Sequence, residues 1–91
     1  MIKSQLVDQL ADRCGITNAE ASRMIGAFNE IVSSALANGD SVILAGFGIF
    51  EAKERAARNG RNPRNGEKIL VPAKRLPRFR PGTKLLHAVA E

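Results

Sequence analysis

The chain has no tryptophan, no tyrosine, a single cysteine, a single histidine and no long apolar run. Each shortage removes a class of function. One cysteine, Cys14, excludes an intramolecular disulfide framework. No apolar stretch approaches the roughly 20 residues of a membrane span, and charged or polar residues interrupt the N-terminus from Lys3 onward, so neither a membrane partner nor an export signal is expected. A reducing, soluble, cytoplasmic setting follows. Without Trp or Tyr, and with all four Phe reading as buried, the chain lacks the stacking aromatics of single-strand RNA readers. Acidic residues are scarce from residue 53 to 84, which leaves no carboxylate cluster for a metal-dependent hydrolase or nuclease. No cofactor and no metal are expected. With 91 residues the chain is one small domain that buries too little surface to stand comfortably alone, so oligomerisation is the expected remedy.

What is abundant is positive charge in one place. Residues 53 to 84 hold 11 Lys or Arg against 2 Glu, whereas residues 1 to 52 hold 3 basic and 6 acidic side chains. Against an overall net charge of +5, the first block carries +9 and the second −3, with Glu91 contributing the remaining −1. Confined charge of that strength is the footprint of a partner carrying a dense row of phosphates. The bland alternative is that Lys and Arg only keep exposed strands soluble.

The first half is helical in pattern. Ile2, Leu6 and Leu10 recur every four residues, Val7 and Ala11 widen that face, and Gly15 is a natural stop. Thr17 then opens a second helix with Glu20 completing a capping box, and Ile16 is placed to staple the entry. Its stripe of Ala21, Met24, Ile25, Phe28, Ile31, Val32, Ala35 and Leu36 ends at Asn38-Gly39. So long a face needs more partner than the first helix provides. Cys14 falls on the apolar side of the first helix and is read as a buried small residue, not a nucleophile. His87 has no Cys, Asp or Glu at ligand spacing and is not read as a metal ligand.

The second half changes period. Ser41 to Leu44 is a short strand, Ala45-Gly46-Phe47-Gly48 a turn, and Ile49 starts a longer strand running toward Arg58. Strand character resumes from Glu67 to Val71 and again from Leu76 to Arg80, while Pro72 and Pro77 restrict pairing to an edge or a bend. Pro81-Gly82 ends the last strand, and Thr83 is placed to cap a terminal helix. Gly46 and Gly48 connect strand to strand, so they read as turn glycines and not as a phosphate loop. Alternation puts Lys53 and Arg55 on one strand face and Arg78 and Arg80 on one face of theirs, with Phe79 turned away. The segment from about Ala56 to Ala73 has few large apolar residues and should project as a two-stranded arm. An isolated hairpin is marginal in water, so its tip is expected to be disordered until a ligand orders it. That tip, Gly60 to Gly66, sets one exposed proline, Pro63, among arginines; composition alone reads Pro63 equally as a turn proline or as a wedge between base steps.

Gly46-Phe47-Gly48-Ile49-Phe50-Glu51, Glu54-Arg55-Ala56-Ala57-Arg58, Gly60-Arg61-Asn62-Pro63 and Pro77-Arg78-Phe79-Arg80-Pro81-Gly82 together resemble the bacterial histone-like HU and integration host factor family. The likeness runs the whole chain in order and without gaps, and the Glu54 to Arg58 run is closer to HU. It implies an α+β IHF-like DNA-binding fold: an intertwined homodimer with a helical base, an antiparallel β-sheet saddle and two protruding β-ribbon arms. On that pattern residues 1–39 form the helical dimerisation region, 40–82 the saddle with its arm at about 56–73, and 83–91 the C-terminal helix. Phe47, Phe50 and Phe79 would pack the dimer core, joined by Phe28 of the second helix. Pro63 matches the family's intercalating proline, which enters the minor groove of double-stranded DNA and kinks it. Arg55, Arg58, Arg61, Asn62, Arg64 and Arg80 fall where relatives contact phosphates or groove edges. Charge adds Lys53, Lys74, Arg75 and Arg78 to the candidate contacts, with Lys3 and Lys84 on the flank. Asn65 stands where a threonine is usual, and Thr83 and Leu86 where many relatives carry lysine, which leaves that flank less cationic.

The expected function is therefore non-enzymatic architectural binding, bending and compaction of DNA with little base specificity, in a nucleoid-associated protein. A site-selective subunit of the integration host factor type, or a heterodimer with a paralogous chain, is the nearest alternative. A basic RNA-binding protein comes next.

Overall fold

The computed structural model describes residues 1–90. Its helices arise where apolar residues recur at spacings of three and four. Helix α1 (Lys3–Cys14) begins after Ile2, whose N–H donates to Gln5 Oε1 at 2.9 Å, and stops at Gly15, whose φ of 64° lies in the left-handed region. Helix α2 (Asn18–Ala37) opens as expected at Thr17, whose Oγ1 accepts the Glu20 N–H at 3.1 Å. Asn18 Nδ2 also donates to Asp8 Oδ1 at 2.7 Å, tying the second helix to the first.

The chain forms two compact units, Met1–Ser34 and Ala35 to the C-terminus. The first has a core of Val7, Ala11 and Ala21, with Leu10, Ile16 and Ile25 packed around it, so Ile16 does sit as a staple. Three members of the α2 stripe are nevertheless exposed, Met24 at 53%, Phe28 at 41% and Ile31 at 64%. Length is the reason. At 1.5 Å per residue α1 is about 18 Å long and α2 about 30 Å, so the shorter helix covers only the start of the longer one. Cys14 is exposed, not buried as expected. Cys14 is the last residue of α1, and it is Ile16, its N–H donating to the Ala11 carbonyl at 3.0 Å, that packs against the core there.

The second unit is built on a three-stranded antiparallel sheet in which Gly48–Arg55 lies between Val42–Leu44 and Lys74–Pro81. Strand β1 (Val42–Leu44) joins β2 (Gly48–Arg55) through a turn closed by the Phe47 N–H donating to the Leu44 carbonyl at 3.0 Å. The strand expected to run from Ile49 toward Arg58 is in fact broken. It ends at Arg55, and β3 (Arg58–Arg61) pairs instead with β4 (Lys68–Val71) in a separate two-stranded ribbon. Opposite the break at Ala56-Ala57 stands Pro72, which has no N–H to continue the ladder. Strand β5 (Lys74–Pro81) is longer than its apolar pattern suggested because it pairs with the whole of β2, from Gly48↔Pro81 to Arg55↔Lys74. It lies at a sheet edge, which is where Pro77 is tolerated.

Helix α3 (Thr83–Ala90) follows at once, and Glu91, the last residue expected in it, lies outside the described residues. Gly82, not Thr83, stands at its cap: the Gly82 carbonyl accepts the Leu86 N–H at 3.0 Å, while the Gly82 N–H donates to the Phe47 carbonyl at 2.8 Å. A Cβ at residue 82 would lie 2.9 Å from the Gly46 carbonyl, so the helix start presses against the β1–β2 turn and only glycine fits. Among the described residues no helix is long and apolar enough to cross a membrane.

Candidate nucleic-acid interface

Strand register assigns every side chain of the β2–β5 pair to a face. Ile49↔Arg80, Glu51↔Arg78, Lys53↔Leu76 and Arg55↔Lys74 are cross-strand partners and share one side. That face carries Lys53, Arg55, Lys74, Arg78 and Arg80, all exposed. The other side carries Phe50↔Phe79, Ala52↔Pro77 and Glu54↔Arg75, so Phe79 is turned away from the arginines beside it, as alternation required. Arg75, placed among the contacts on charge alone, is on the apolar side. It lies 4.0 Å from the Glu54 carboxylate, and its guanidinium is 3.5 Å from where a Cβ of Gly39 would stand.

One member of the cationic face was missed. The Glu51 carboxylate is 3.1 Å from Arg80 Nε and 4.0 Å from Arg78 Nε, with its side chain only 24% exposed. The signal was available, since Glu51 has the same parity as Lys53 and Arg55. A carboxylate there orients two arginines and also competes with any phosphate for them.

The arm adds a second set of groups. Arg58 pairs with Val71 and Arg61 with Lys68, so Arg58 and Arg61 occupy opposite faces of the ribbon. Its tip is a closed turn. The Asn62 N–H donates to the Glu67 carbonyl and the Gly66 N–H to the Asn62 carbonyl, both at 2.8 Å. Asn62 Oδ1 accepts the Arg64 N–H at 2.9 Å, and Asn65 Oδ1 accepts the Glu67 N–H at 3.0 Å. The physical reason is local: two asparagines stand in for backbone acceptors, and Gly66 at φ 71° completes the reversal. Asn62 is thereby half-buried and partly engaged inside the turn, whereas Arg61, Pro63 and Arg64 are exposed.

The phenylalanines gather on the side of the sheet opposite the cations. Ring centroids of Phe47 and Phe79 are 5.5 Å apart, and those of Phe50 and Phe79 are 4.9 Å apart, both tilted. In the single chain Phe47 is 48% exposed and Phe79 38%. Phe28 stands on α2. Lys84 lays its aliphatic stem beside Gly46, with Cδ 3.0 Å from the position of an added Cβ, and Lys3 is exposed on α1.

The sequence pattern of the family described as "Bacterial DNA-binding protein" matches residues 1–90. The chain belongs to that family. It is 47% identical to DNA-binding protein HU-beta of Escherichia coli (strain K12) over 89 residues, covering 98% of this chain and 99% of the relative. Identity to DNA-binding protein HU of Geobacillus stearothermophilus is 43% over 89 residues, with the same coverage. Among solved structures, the Anabaena HU–DNA cocrystal structure superposes with a TM-score of 0.90 at 42% identity, covering 99% of this chain and 98% of that one. An α+β fold of the HU type, with three helices and antiparallel strands, is thus common to this family member and its structural neighbour.

Proposed function

We propose that the chain is a non-enzymatic architectural protein that binds double-stranded DNA with little base preference, bends it and compacts it on the bacterial nucleoid, in the cytoplasm. The observation that carries this reading is the division of one sheet into a face of five cations and a face of clustered phenylalanines. The cationic face suits phosphates, whose neutralisation releases counterions and requires no particular sequence. The aromatic face suits a second copy of the chain, because Phe47 and Phe79 remain half-exposed and Met24 and Ile31 of α2 are more than half exposed as well. Similarity to HU proteins over nearly the full length supports both parts, as does the fold shared with a relative crystallised with DNA.

In the proposed complex a homodimer places two arms along the minor groove. Arg58, Arg61 and Arg64 hold phosphates or groove edges, and Pro63 enters a base step and unstacks it. Lys53, Arg55, Lys74, Arg78 and Arg80 receive the backbone, with Lys3 and Lys84 at the flank. A minor-groove reader distinguishes little beyond A·T from G·C, so any preference arises from how readily a sequence bends. Competition between unrelated duplexes of equal length and base composition tests the reading. Near-equal affinities are expected, and a strong preference for one sequence would instead indicate a site-selective protein of the integration host factor type. Sedimentation of the purified chain distinguishes a homodimer from a subunit that needs a paralogue.

A further inference from the structure

We propose that Asn65 is a site of spontaneous covalent modification, cyclising onto Gly66 and opening to aspartate or isoaspartate, and that the change loosens the arm's hold on DNA. The second half rests on the DNA-binding reading.

The chain contains three Asn-Gly pairs, at 38–39, 59–60 and 65–66. The chemistry they share is attack by the glycine backbone nitrogen on the asparagine Cγ. At residue 65 a bond forms between Gly66 N and Asn65 Cγ, and the Cγ–Nδ2 bond breaks. The departing nitrogen takes up the proton given up by the Gly66 N–H and leaves as ammonia. Water then adds to either carbonyl of the five-membered imide. One opening restores a normal backbone with aspartate; the other routes the backbone through the side-chain carboxyl as isoaspartate. No oxidant, reductant or cofactor is needed.

Geometry ranks the three pairs. Asn65 Oδ1 accepts the Glu67 N–H at 3.0 Å, which polarises the carbonyl under attack and folds the side chain back over the peptide beyond it. Gly66 is exposed, and nothing stands within 4 Å of the space where a Cβ would be. Its N–H donates to the Asn62 carbonyl at 2.8 Å and must be released first. That opening involves only the turn, because the tip's hydrogen bonds are local and exposed, which places it at the low-stability end of the structure. Asn59-Gly60 is held differently: it lies in β3, where Gly60 is paired with Ile69 in extended backbone. At Asn38-Gly39 the Gly39 N–H donates to the Leu36 carbonyl at the end of α2, and the Arg75 guanidinium closes the space beside the glycine.

The consequence falls where the arm is most charged. From Arg61 to Lys68 there are three cations and one carboxylate, so a second carboxylate halves the positive surplus. The isoaspartate product also lengthens the main chain by one methylene and moves the carbonyl that accepts the Glu67 N–H from the side chain into the backbone.

Trypsin makes the test site-resolved, because cleavage after Arg58, Arg61, Arg64 and Lys68 puts Asn59 and Asn65 in separate short peptides. The full-length protein is incubated in mildly alkaline buffer at physiological temperature, and amide-to-acid conversion is followed by mass in each peptide. Asn65 is expected to convert several-fold faster than Asn59 or Asn38. Converted protein and Asn65→Asp are expected to bind a random duplex several-fold more weakly than fresh protein, and Asn65→Thr to keep its affinity through the same incubation. Equal conversion at the three sites, or full conversion at Asn65 with affinity unchanged, would overturn the proposal. If fresh protein itself does not bind the duplex, the functional reading fails, and the conversion rates alone decide whether Asn65 is the modified site.

Discussion

Replacing Glu51 with glutamine is expected to tighten DNA binding, although it deletes an ion pair. The carboxylate sits on the cationic face, 3.1 Å from Arg80 Nε and 4.0 Å from Arg78 Nε, and both arginine side chains are about half exposed. At an effective dielectric of about 20 the bare attraction at 4 Å is about 4 kcal/mol, but solvent screening and side-chain entropy reduce exposed pairs to about 0–1 kcal/mol net. A phosphate recruiting these arginines must displace the carboxylate, so its removal should strengthen binding by up to about 1 kcal/mol, or about fivefold, per protomer. The salt dependence sharpens the test, because each further cation free to engage phosphate steepens the slope of log affinity against log salt by about 0.9. Fluorescence anisotropy with a labelled random duplex, at several salt concentrations, measures both quantities. If Glu51→Gln leaves affinity and slope unchanged, or weakens binding, the carboxylate does not compete with DNA and the assignment of this face is wrong.

Pro63→Ala should keep most of the electrostatic affinity, which resides in the arginines and lysines, while reducing the bend; an unchanged bend angle by fluorescence transfer would remove Pro63 from the mechanism. Gly48→Ala places a Cβ 2.5 Å from Phe79 Cζ and 2.6 Å from the Arg80 carbonyl. Overpacking there should cost about 1–3 kcal/mol, read as a lowered Tm, and an unaltered Tm would contradict the close approach of β2 to β5. Phe79→Ala removes the ring shared by Phe47 and Phe50 and should cost about 3–5 kcal/mol if the cluster is sealed by a second copy. A variant that sediments as a dimer at the same concentrations as the parent would argue against that face as the dimer interface.

Much of this was legible in residue spacing. Both helices, the turn at Gly46, the arm and the opposed faces of Arg78 and Phe79 follow from periods of 3.6 and 2 and from turn chemistry, which act over a few residues. The break between β2 and β3 was less visible, because Ala56 and Ala57 give no signal themselves and the interruption comes from Pro72 on the facing strand. Burial was the least legible property. The apolar positions of Phe47, Phe79 and the α2 stripe were correctly located, yet whether they are covered depends on a second chain, which spacing does not encode. Arg75 shows the limit of counting charge: it adds to the basic block, but the register places it on the side of Phe50 and Phe79. Glu51 shows the converse, an acidic residue whose parity alone puts it among the cations. At the tip, the resemblance places Asn62 among the DNA contacts, whereas part of its hydrogen-bonding capacity is spent closing the turn.

The central claim is that phosphate neutralisation by this face and its arms carries DNA binding without regard to sequence. Affinity for two unrelated duplexes, matched in length and base composition and titrated with salt in parallel, tests it most directly. The account predicts two superimposable lines of steep negative slope; affinity insensitive to salt, or lines separated by a large constant factor, would contradict it.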